Sequence, residues 1–279
     1  MKKTCFLFCF LYALNLLLFI SELECCMSRL KLSLLTLSLA FATSSAFAAD
    51  FSVNPLKVIL TPNKTSEVLT IHNAASSPLR LEIDAKKWSM SPTHAWVLSD
   101  TDDLIYTPEL IEVAPKSDAV LRVGSDNPPD DKEQSYRLLM TEIPDTSKKP
   151  AGNGVNLTVR TQLSLPVFIE PPVPVQSDMK ISQVTRTANH MVVTLNNEGT
   201  QRLDAQAVSV DILDASGKSV EKQQVTSSYA LAGAGMNLDV NVKPESCVSS
   251  HSVQLTFTNP VVTLTAPISD DNKSCGKKD

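Results

Sequence analysis

Hydrophobic and polar residues alternate along most of the chain from Phe51 onward, in short runs that turn residues interrupt. Runs rich in Val, Ile, Leu and Thr, broken by Pro, Asn, Asp and Gly, are typical of the strands of a β-sandwich. No apolar stripe with helical spacing reaches a convincing length. The pattern predicts strands at residues 51–60, 66–73, 79–90, 110–113, 119–123, 135–143 and 155–169, and again at 179–184, 191–196, 205–213, 222–228, 236–242 and 252–258.

A proline-rich segment at residues 170–175 separates the two sets of predicted strands. Its three prolines lack the amide hydrogen that a central strand must donate, so the segment is typical of a stiff hinge. The sequence therefore predicts an all-β protein with two immunoglobulin-like β-sandwich domains. The first covers residues 50–170, the hinge 171–176, and a smaller second domain 177–279, which ends in a mobile tail.

The first 49 residues have the composition of an export leader. Basic residues and an apolar run precede the sequence Ala-Phe-Ala at 46–48, which fits a signal-peptidase site. This pattern predicts a signal peptide at 27–49, a true start at Met27, and a periplasmic location. The upstream apolar run at 5–20 could instead be a membrane anchor, but a bilayer needs about 20 apolar residues. Cleavage after the leader would release the rest, so we expect no membrane span in the mature protein.

Cysteine usage and charge agree with export. Four of the six cysteines lie in the leader, which leaves Cys247 and Cys275. An even pair in an oxidising compartment predicts one disulfide, and two cysteines without close spacing or a nearby histidine do not predict a metal site. The formal net charge of −5 argues against a nucleic-acid partner, which usually demands a basic face.

The sequence contains none of the common catalytic or nucleotide-binding motifs. GxSxG, HExxH, the Walker lysine loop and GxGxxG are all absent. The four histidines, His72, His94, His190 and His251, are scattered without ligand spacing, and turn or solvent positions are the simplest interpretation. We therefore expect no catalytic residue, no cofactor and no metal.

The segment 154–171 alternates over an unusual length for a strand. Its apolar face includes Val155, Leu157, Val159 and Leu163, whereas a typical strand has only about 5 to 6 residues. One interpretation is an ordinary core strand that continues into the hinge. The other is that the apolar row is offered to an incomplete partner fold, in the manner of donor-strand complementation.

Three segments of this sequence resemble the PapD-like periplasmic pilus chaperones: 51–60, 136–144 and 165–171. The resemblance covers nearly all of the chain after the leader. It implies two immunoglobulin-like domains arranged in an L, with a pilus subunit bound along the last strand of the first domain and delivered to an outer-membrane usher. It leaves open whether the free chaperone self-associates. The sequence Leu-Pro-Val-Phe at 165–168 is similar to the archaic, Csu-type branch, and Thr107-Pro108 resembles the family's X-Pro turn, which is often cis.

The resemblance also implies a site for the terminal carboxylate of the subunit. Family members hold it with a basic residue on the first strand and a lysine on the last strand of the first domain. Lys57 occupies the first position, but Pro166 stands where the lysine would be. A carboxylate in a cleft needs cationic donors, so Arg160 is the leading substitute, with Lys87 and Arg80 as weaker candidates.

Two other classes of function stay open at this point. A pilus subunit or adhesin should be a single incomplete sandwich with a free donor extension. A periplasmic carbohydrate-binding or hydrolytic β-sandwich needs a polar cluster or an aromatic platform, for which Trp88 and Trp96 are the only tryptophans.

Overall fold

The computed structural model describes residues 51–126, 130–144, 160–173, 178–186 and 189–268. These residues form eighteen strands and one short helix. The strands are β1 Phe51–Asn54, β2 Val58–Leu60, β3 Ser66–Asn73, β4 Leu79–Met90, β5 Trp96–Asp100, β6 Ile105–Thr107, β7 Leu110–Val113, β8 Asp118–Gly124, β9 Gln134–Glu142, β10 Gln162–Ile169, β11 Met179–Arg186, β12 His190–Asn197, β13 Leu203–Leu213, β14 Ser219–Val225, β15 Tyr229–Ala230, β16 Gly235–Asn241, β17 Ser252–Asn259 and β18 Val261–Pro267, and helix α1 is Pro244–Ser249. The predicted all-β fold is confirmed.

The first ten strands form a sandwich of two sheets. One sheet has the order β1-β3-β8-β6, and the other has the order β2-β10-β9-β4-β5, with β7 also paired to β4. Alternation along each strand sends every second side chain into the space between the sheets. On β4, for example, Leu81 and Ile83 are buried and Arg80 and Glu82 are exposed. Burial of these apolar rows builds one core.

The last eight strands form a second sandwich with its own core. Its sheets have the orders β11-β12-β16 and β14-β13-β17-β18, and β15 pairs with β13. Cys247 lies on α1, is fully buried and is disulfide-bonded. Cys275 and the predicted tail lie outside the described residues, as does the predicted leader, so the Cys247–Cys275 pairing and the domain limits stay predictions.

The predicted first strand at 51–60 is divided in the structure. Pro55 follows a cis peptide bond, and the chain passes there from one sheet, through β1, to the other, through β2. Thr107–Pro108 is also cis, as the resemblance suggested. Four short or edge strands, β5, β6, β15 and β18, were absent from the sequence prediction.

The neighbours of β10 matter most for function. Along its whole length β10 pairs antiparallel with β9, from Gln162 to Ile169. On its other side β2 pairs with it in parallel, but only from Val167 to Ile169. In the described part of the chain, the edge of β10 from Gln162 to Pro166 therefore has no strand beside it.

Candidate functional site

Three side chains project from the outer face of the sheet that contains β10. Tyr136 and Leu138 of β9 belong to the first core, so Arg137 between them points the opposite way. By the same alternation Phe168 of β10 and Trp88 of β4 point outward. All three are nevertheless buried, with exposed fractions of 6%, 0% and 3% for Arg137, Phe168 and Trp88. Other parts of the protein must therefore cover this face.

The cover comes from the second sandwich and from β5. The ring of Tyr229, on β15, meets Phe168 and Trp88 edge to face, with centroid separations of 5.2 and 6.1 Å. Trp96 of β5 packs on Trp88 at 4.8 Å. These separations are in the range that favours aromatic pairs. We refer to Trp88, Trp96, Phe168 and Tyr229 as the junction cluster, because it joins the two sandwiches.

Arg137 is held between the two tryptophans of the junction cluster. Its guanidinium carbon lies 3.9 Å from the ring centroid of Trp88 and 4.4 Å from that of Trp96. Both contacts are cation–π interactions. The buried Nε atom has no hydrogen-bond partner among the described residues, and burial lowers the pKa of the guanidinium from its ordinary value. An arginine stays charged even so, and the site therefore holds a cation whose buried Nε lacks an acceptor in the described part of the chain.

Lys57 and Arg137 lie on either side of Pro166 in the order of the strands. The parallel register pairs Val58 with Val167, so Lys57 and Pro166 each precede a paired residue by one position. Pro166 in turn pairs with Arg137. Lys57, Pro166 and Arg137 consequently follow one another across three neighbouring strands. The Nζ of Lys57 is 5.9 Å from the Tyr229 ring centroid, at the edge of the same cluster.

The other predicted cations contact groups elsewhere. The Nε of Arg160 donates to the carbonyl oxygen of Glu142 at 3.4 Å. Lys87 is paired across the strands with the core residue Tyr136, which places it on the opposite face from Trp88, and its Nζ is 3.3 Å from a carboxylate oxygen of Asp103. Arg80 is exposed, with its Nε 3.9 Å from a carboxylate oxygen of Glu112. Of the four candidates, the structure brings only Lys57 to the junction cluster.

Sequence reasoning missed Arg137. The signal was present in the segment Tyr136–Met140, where one cation interrupts a run of large apolar residues. In a strand, such a residue lies on the face opposite its sequence neighbours. The side chains that it contacts there depend on which strands lie beside it. The lateral neighbour Pro166 is 29 positions away in sequence and was not predicted to pair with it.

The predicted donor row is described only at its end. Val155, Leu157 and Val159 lie outside the described residues. Leu163 is half-buried and packs against the core of the first sandwich, next to the buried Leu165.

A buried ion pair also joins the sandwiches. Glu133, immediately before β9, accepts hydrogen bonds from the guanidinium and from the backbone nitrogen of Arg202, immediately before β13. The guanidinium of Arg202 stacks over Phe168 at 4.0 Å, and a carboxylate oxygen of Glu170 is 3.9 Å away. Burial raises the pKa of Glu133 to about 7, although Arg202 opposes the rise.

The raised pKa of Glu133 predicts a pH dependence of stability. A carboxyl group with a folded pKa above its unfolded value of 4.5 stabilises the fold fully below that value and loses this contribution as the pH rises through about 7. We expect the free energy of unfolding to fall by about 3 kcal/mol from this group between pH 4.5 and pH 8. Glu133→Gln, which resembles the protonated form, should remove that part of the dependence. Chemical denaturation at both pH values measures it.

The exposed Glu112→Gln variant is the matched control for this experiment, since its side chain is 68% exposed. It should keep the full wild-type pH dependence. Equal pH dependence in wild type and Glu133→Gln would contradict the assignment.

Two further features are absent from the described residues. No helix among them is long and apolar enough to cross a membrane. No group of three or more potential His, Cys, Asp or Glu ligands lies together there.

Comparison with known proteins identifies the family. Residues 50–174 match the family model described as pili and flagellar-assembly chaperone, PapD N-terminal domain. The match spans the first sandwich and the segment that follows it. The class is thus defined for the first sandwich, which matches the N-terminal domain of PapD-type pilus chaperones.

Solved structures of similar fold are chaperones as well. The CsuC–CsuE chaperone–tip adhesion subunit complex from archaic Csu pili of Acinetobacter baumannii aligns with 15% identity and a TM-score of 0.50, covering 78% of this chain and 97% of that chain. The CupB2 chaperone of Pseudomonas aeruginosa aligns with 15% identity and a TM-score of 0.50, covering 78% and 100%. The YadV chaperone aligns with 13% identity and a TM-score of 0.52, covering 78% and 100%.

At such identities these likenesses establish the two-sandwich fold. The Csu-type branch therefore stays a prediction, as does the L-shaped arrangement. Comparison with curated proteins gives no match.

Proposed function

We propose that this protein is a periplasmic chaperone that binds pilus subunits by donor-strand complementation and delivers them to an outer-membrane usher. The role consists of binding, without a catalysed reaction or a cofactor. A subunit that lacks one strand would expose an apolar groove, and the chaperone would fill this groove with the segment that leads into β10.

The open edge of β10 is the observation that carries the proposal. From Gln162 to Pro166 this strand is paired with β9 and has no described neighbour on its other side. An unpaired strand edge offers backbone donors and acceptors to an incoming chain. A subunit strand could add there in continuation of the sheet, while the row Val155, Leu157, Val159 and Leu163 supplies apolar side chains.

The chemistry of Arg137 supports a carboxylate ligand in the same cleft. A buried charge without an acceptor is costly, and pairing with an anion relieves that cost. We assign Arg137 as the second anchor of the subunit's terminal carboxylate, together with Lys57. Pro166, between them, has no cationic side chain to offer, and the neighbouring strand supplies the missing charge. Arg160, Lys87 and Arg80 become less favoured because their cationic groups contact other oxygens.

The two sandwiches distinguish this role from that of a pilus subunit. A subunit would need a single incomplete sandwich, whereas the described strands form two, each with its own core. The two tryptophans also do not form an open platform for a sugar, because Trp88 is only 3% exposed.

Coexpression with the subunit genes of the same operon tests the proposed function. Affinity purification from the periplasm should recover a one-to-one complex of this protein with a small β-subunit. Subunit yield should fall sharply when the chaperone is omitted. Recovery of free chaperone alone, at every subunit level, would refute the proposal.

Removal of the first anchor should weaken the complex. We expect Lys57→Ala to raise the dissociation constant for the subunit about tenfold, because one charge-assisted hydrogen bond to the carboxylate is lost. Arg80→Ala and Arg160→Ala are the matched variants and should bind as wild type. Surface plasmon resonance with purified subunit measures all three. A larger effect of either matched variant than of Lys57→Ala would reassign the anchor.

A further inference from the structure

The turn between β4 and β5 reaches the second sandwich. It comprises residues 91–95, and His94 lies at its tip. The Nδ1 atom of His94 is 3.1 Å from the side-chain oxygen Oδ1 of Asn237, on β16. This oxygen also accepts a hydrogen bond from Thr194 at 3.1 Å. The oxygen can only accept, so Nδ1 of His94 carries the proton and donates.

Gly235 leaves the space that the imidazole ring occupies. A Cβ atom at position 235 would lie 2.3 Å from Nε2 and 2.4 Å from Cδ2 of His94. Gly235 does not adopt a positive φ angle, unlike Gly217 and Gly233. Its backbone would therefore accept other residues, and the constraint at this position is the space taken by the His94 ring and, at 2.8 Å, by the Oδ1 atom of Asn196.

The tip is built so that the ring is presented to the second sandwich. His94 has a φ of 63°, in the left-handed region that few residues other than glycine adopt. Its backbone nitrogen donates to the carbonyl oxygen of Ser91 at 2.9 Å, and Ala95 donates to the Ser91 hydroxyl at 3.1 Å. Backbone strain of this kind persists where surrounding contacts determine it, and it is concentrated at sites with a role.

The tip of the turn leads directly into Trp96, whose ring packs on the guanidinium of Arg137. Trp96 follows His94 by two residues and is the first residue of β5, an edge strand paired only with β4 in the described chain. Its ring covers Arg137 at 4.4 Å, yet 49% of Trp96 is exposed. Besides the packing of Trp96 on Trp88 and Arg137, this end of β5 is held by its pairing with β4 and by the docking of the turn on β16.

We propose that His94 is a positioning residue: by docking on Gly235 and Asn237 of the second sandwich, it fixes Trp96 over the guanidinium of Arg137. It thereby sets the orientation in which Arg137 meets the carboxylate of a subunit. This inference rests on the proposed function for the identity of the ligand. The link between His94 and Trp96 itself is a property of the free protein.

Fluorine NMR of the free protein tests the link without any ligand. The chain has two tryptophans, so labelling with 5-fluorotryptophan gives two signals, which the Trp96→Phe variant assigns. His94→Ala should shift or broaden the Trp96 signal, and Gly235→Ala should do the same. The two changes should not add fully, because without the imidazole ring the new methyl group meets only the Oδ1 atom of Asn196. His72→Ala, which removes an exposed histidine bonded to Asp118, is the control and should change neither signal.

Binding of two peptides tests the consequence for the anchor. The probes are the last 18 residues of the copurified subunit, made with a free carboxylate or as the amide. Wild type should prefer the free carboxylate about tenfold, and His94→Ala should reduce that preference to about threefold. General destabilisation would weaken both peptides equally and leave the ratio unchanged, so the ratio reports on positioning.

The outcomes separate the two proposals. An unchanged Trp96 signal in His94→Ala, or an unchanged carboxylate preference, overturns the positioning role. Fully additive effects of His94→Ala and Gly235→Ala on the Trp96 signal also overturn it. Failure of wild type to bind either peptide, while the Trp96 signal responds as expected, counts against the proposed function and leaves the His94–Trp96 link established.

Discussion

Arg137→Met is expected to weaken subunit binding about 100-fold while leaving the free chaperone at least as stable as wild type. The two effects have opposite signs because the buried guanidinium destabilises the free protein but stabilises the complex with the subunit. Arg137 as a residue is only 6% exposed, and its Nε has no hydrogen-bond partner among the described residues. Methionine fills a similar volume between Trp88 and Trp96 without a charge to desolvate.

Isothermal titration with purified subunit measures the loss of affinity, and thermal unfolding measures the stability. Arg137→Lys should fall between wild type and Arg137→Met, since an ammonium group keeps the charge but lacks the planar stack. Arg122→Met, an exposed arginine on β8 of the other sheet, is the matched control. Wild-type affinity in Arg137→Met would remove this residue from the site.

Paired aspartates in the donor row should abolish the complex. We expect Leu157→Asp combined with Val159→Asp to reduce subunit affinity by at least about 1,000-fold, because each apolar side chain contributes roughly 1.5 to 3 kcal/mol when buried and a buried carboxylate adds a large penalty. The chaperone itself should remain folded. Recovery of subunit by copurification measures the effect.

The neighbouring residues provide a control with the same change in charge. Asn156→Asp combined with Thr158→Asp adds two aspartates at the polar positions of the alternating sequence pattern. This pair should retain most of the binding. Equal losses from both pairs would mean that added charge in the segment, rather than the apolar row, is responsible, and no loss from either would contradict donor-strand complementation.

The strands that the sequence predicts best are those with one buried face and one exposed face. The bounds of β3, β4 and β7 agree with the pattern because buried and exposed residues alternate along them. All five residues of β5 are exposed, so no alternation marks it. β18 follows β17 after one residue, Pro260, which has no amide hydrogen to donate and interrupts the alternating pattern. At Pro55 the apolar pattern continues although the chain changes sheets.

Only part of the candidate site could be predicted from the sequence, for a similar reason. Lys57 follows from resemblance, because it stands at a fixed place on the first strand. Arg137 depends on the register between β9 and β10, and the pairing of Glu133 with Arg202 joins residues 69 positions apart. His94 acts through a contact between sandwiches, for which a single sequence carries no periodic signal.

Hydrogen–deuterium exchange of residues 154–165, measured in the free chaperone and in its purified complex with a subunit, tests strand lending most directly. Our account predicts that amides throughout this segment exchange at least about tenfold more slowly in the complex, because a subunit strand pairs with them. Unchanged exchange in residues 154–165, in a complex whose one-to-one composition has been verified, would contradict the account.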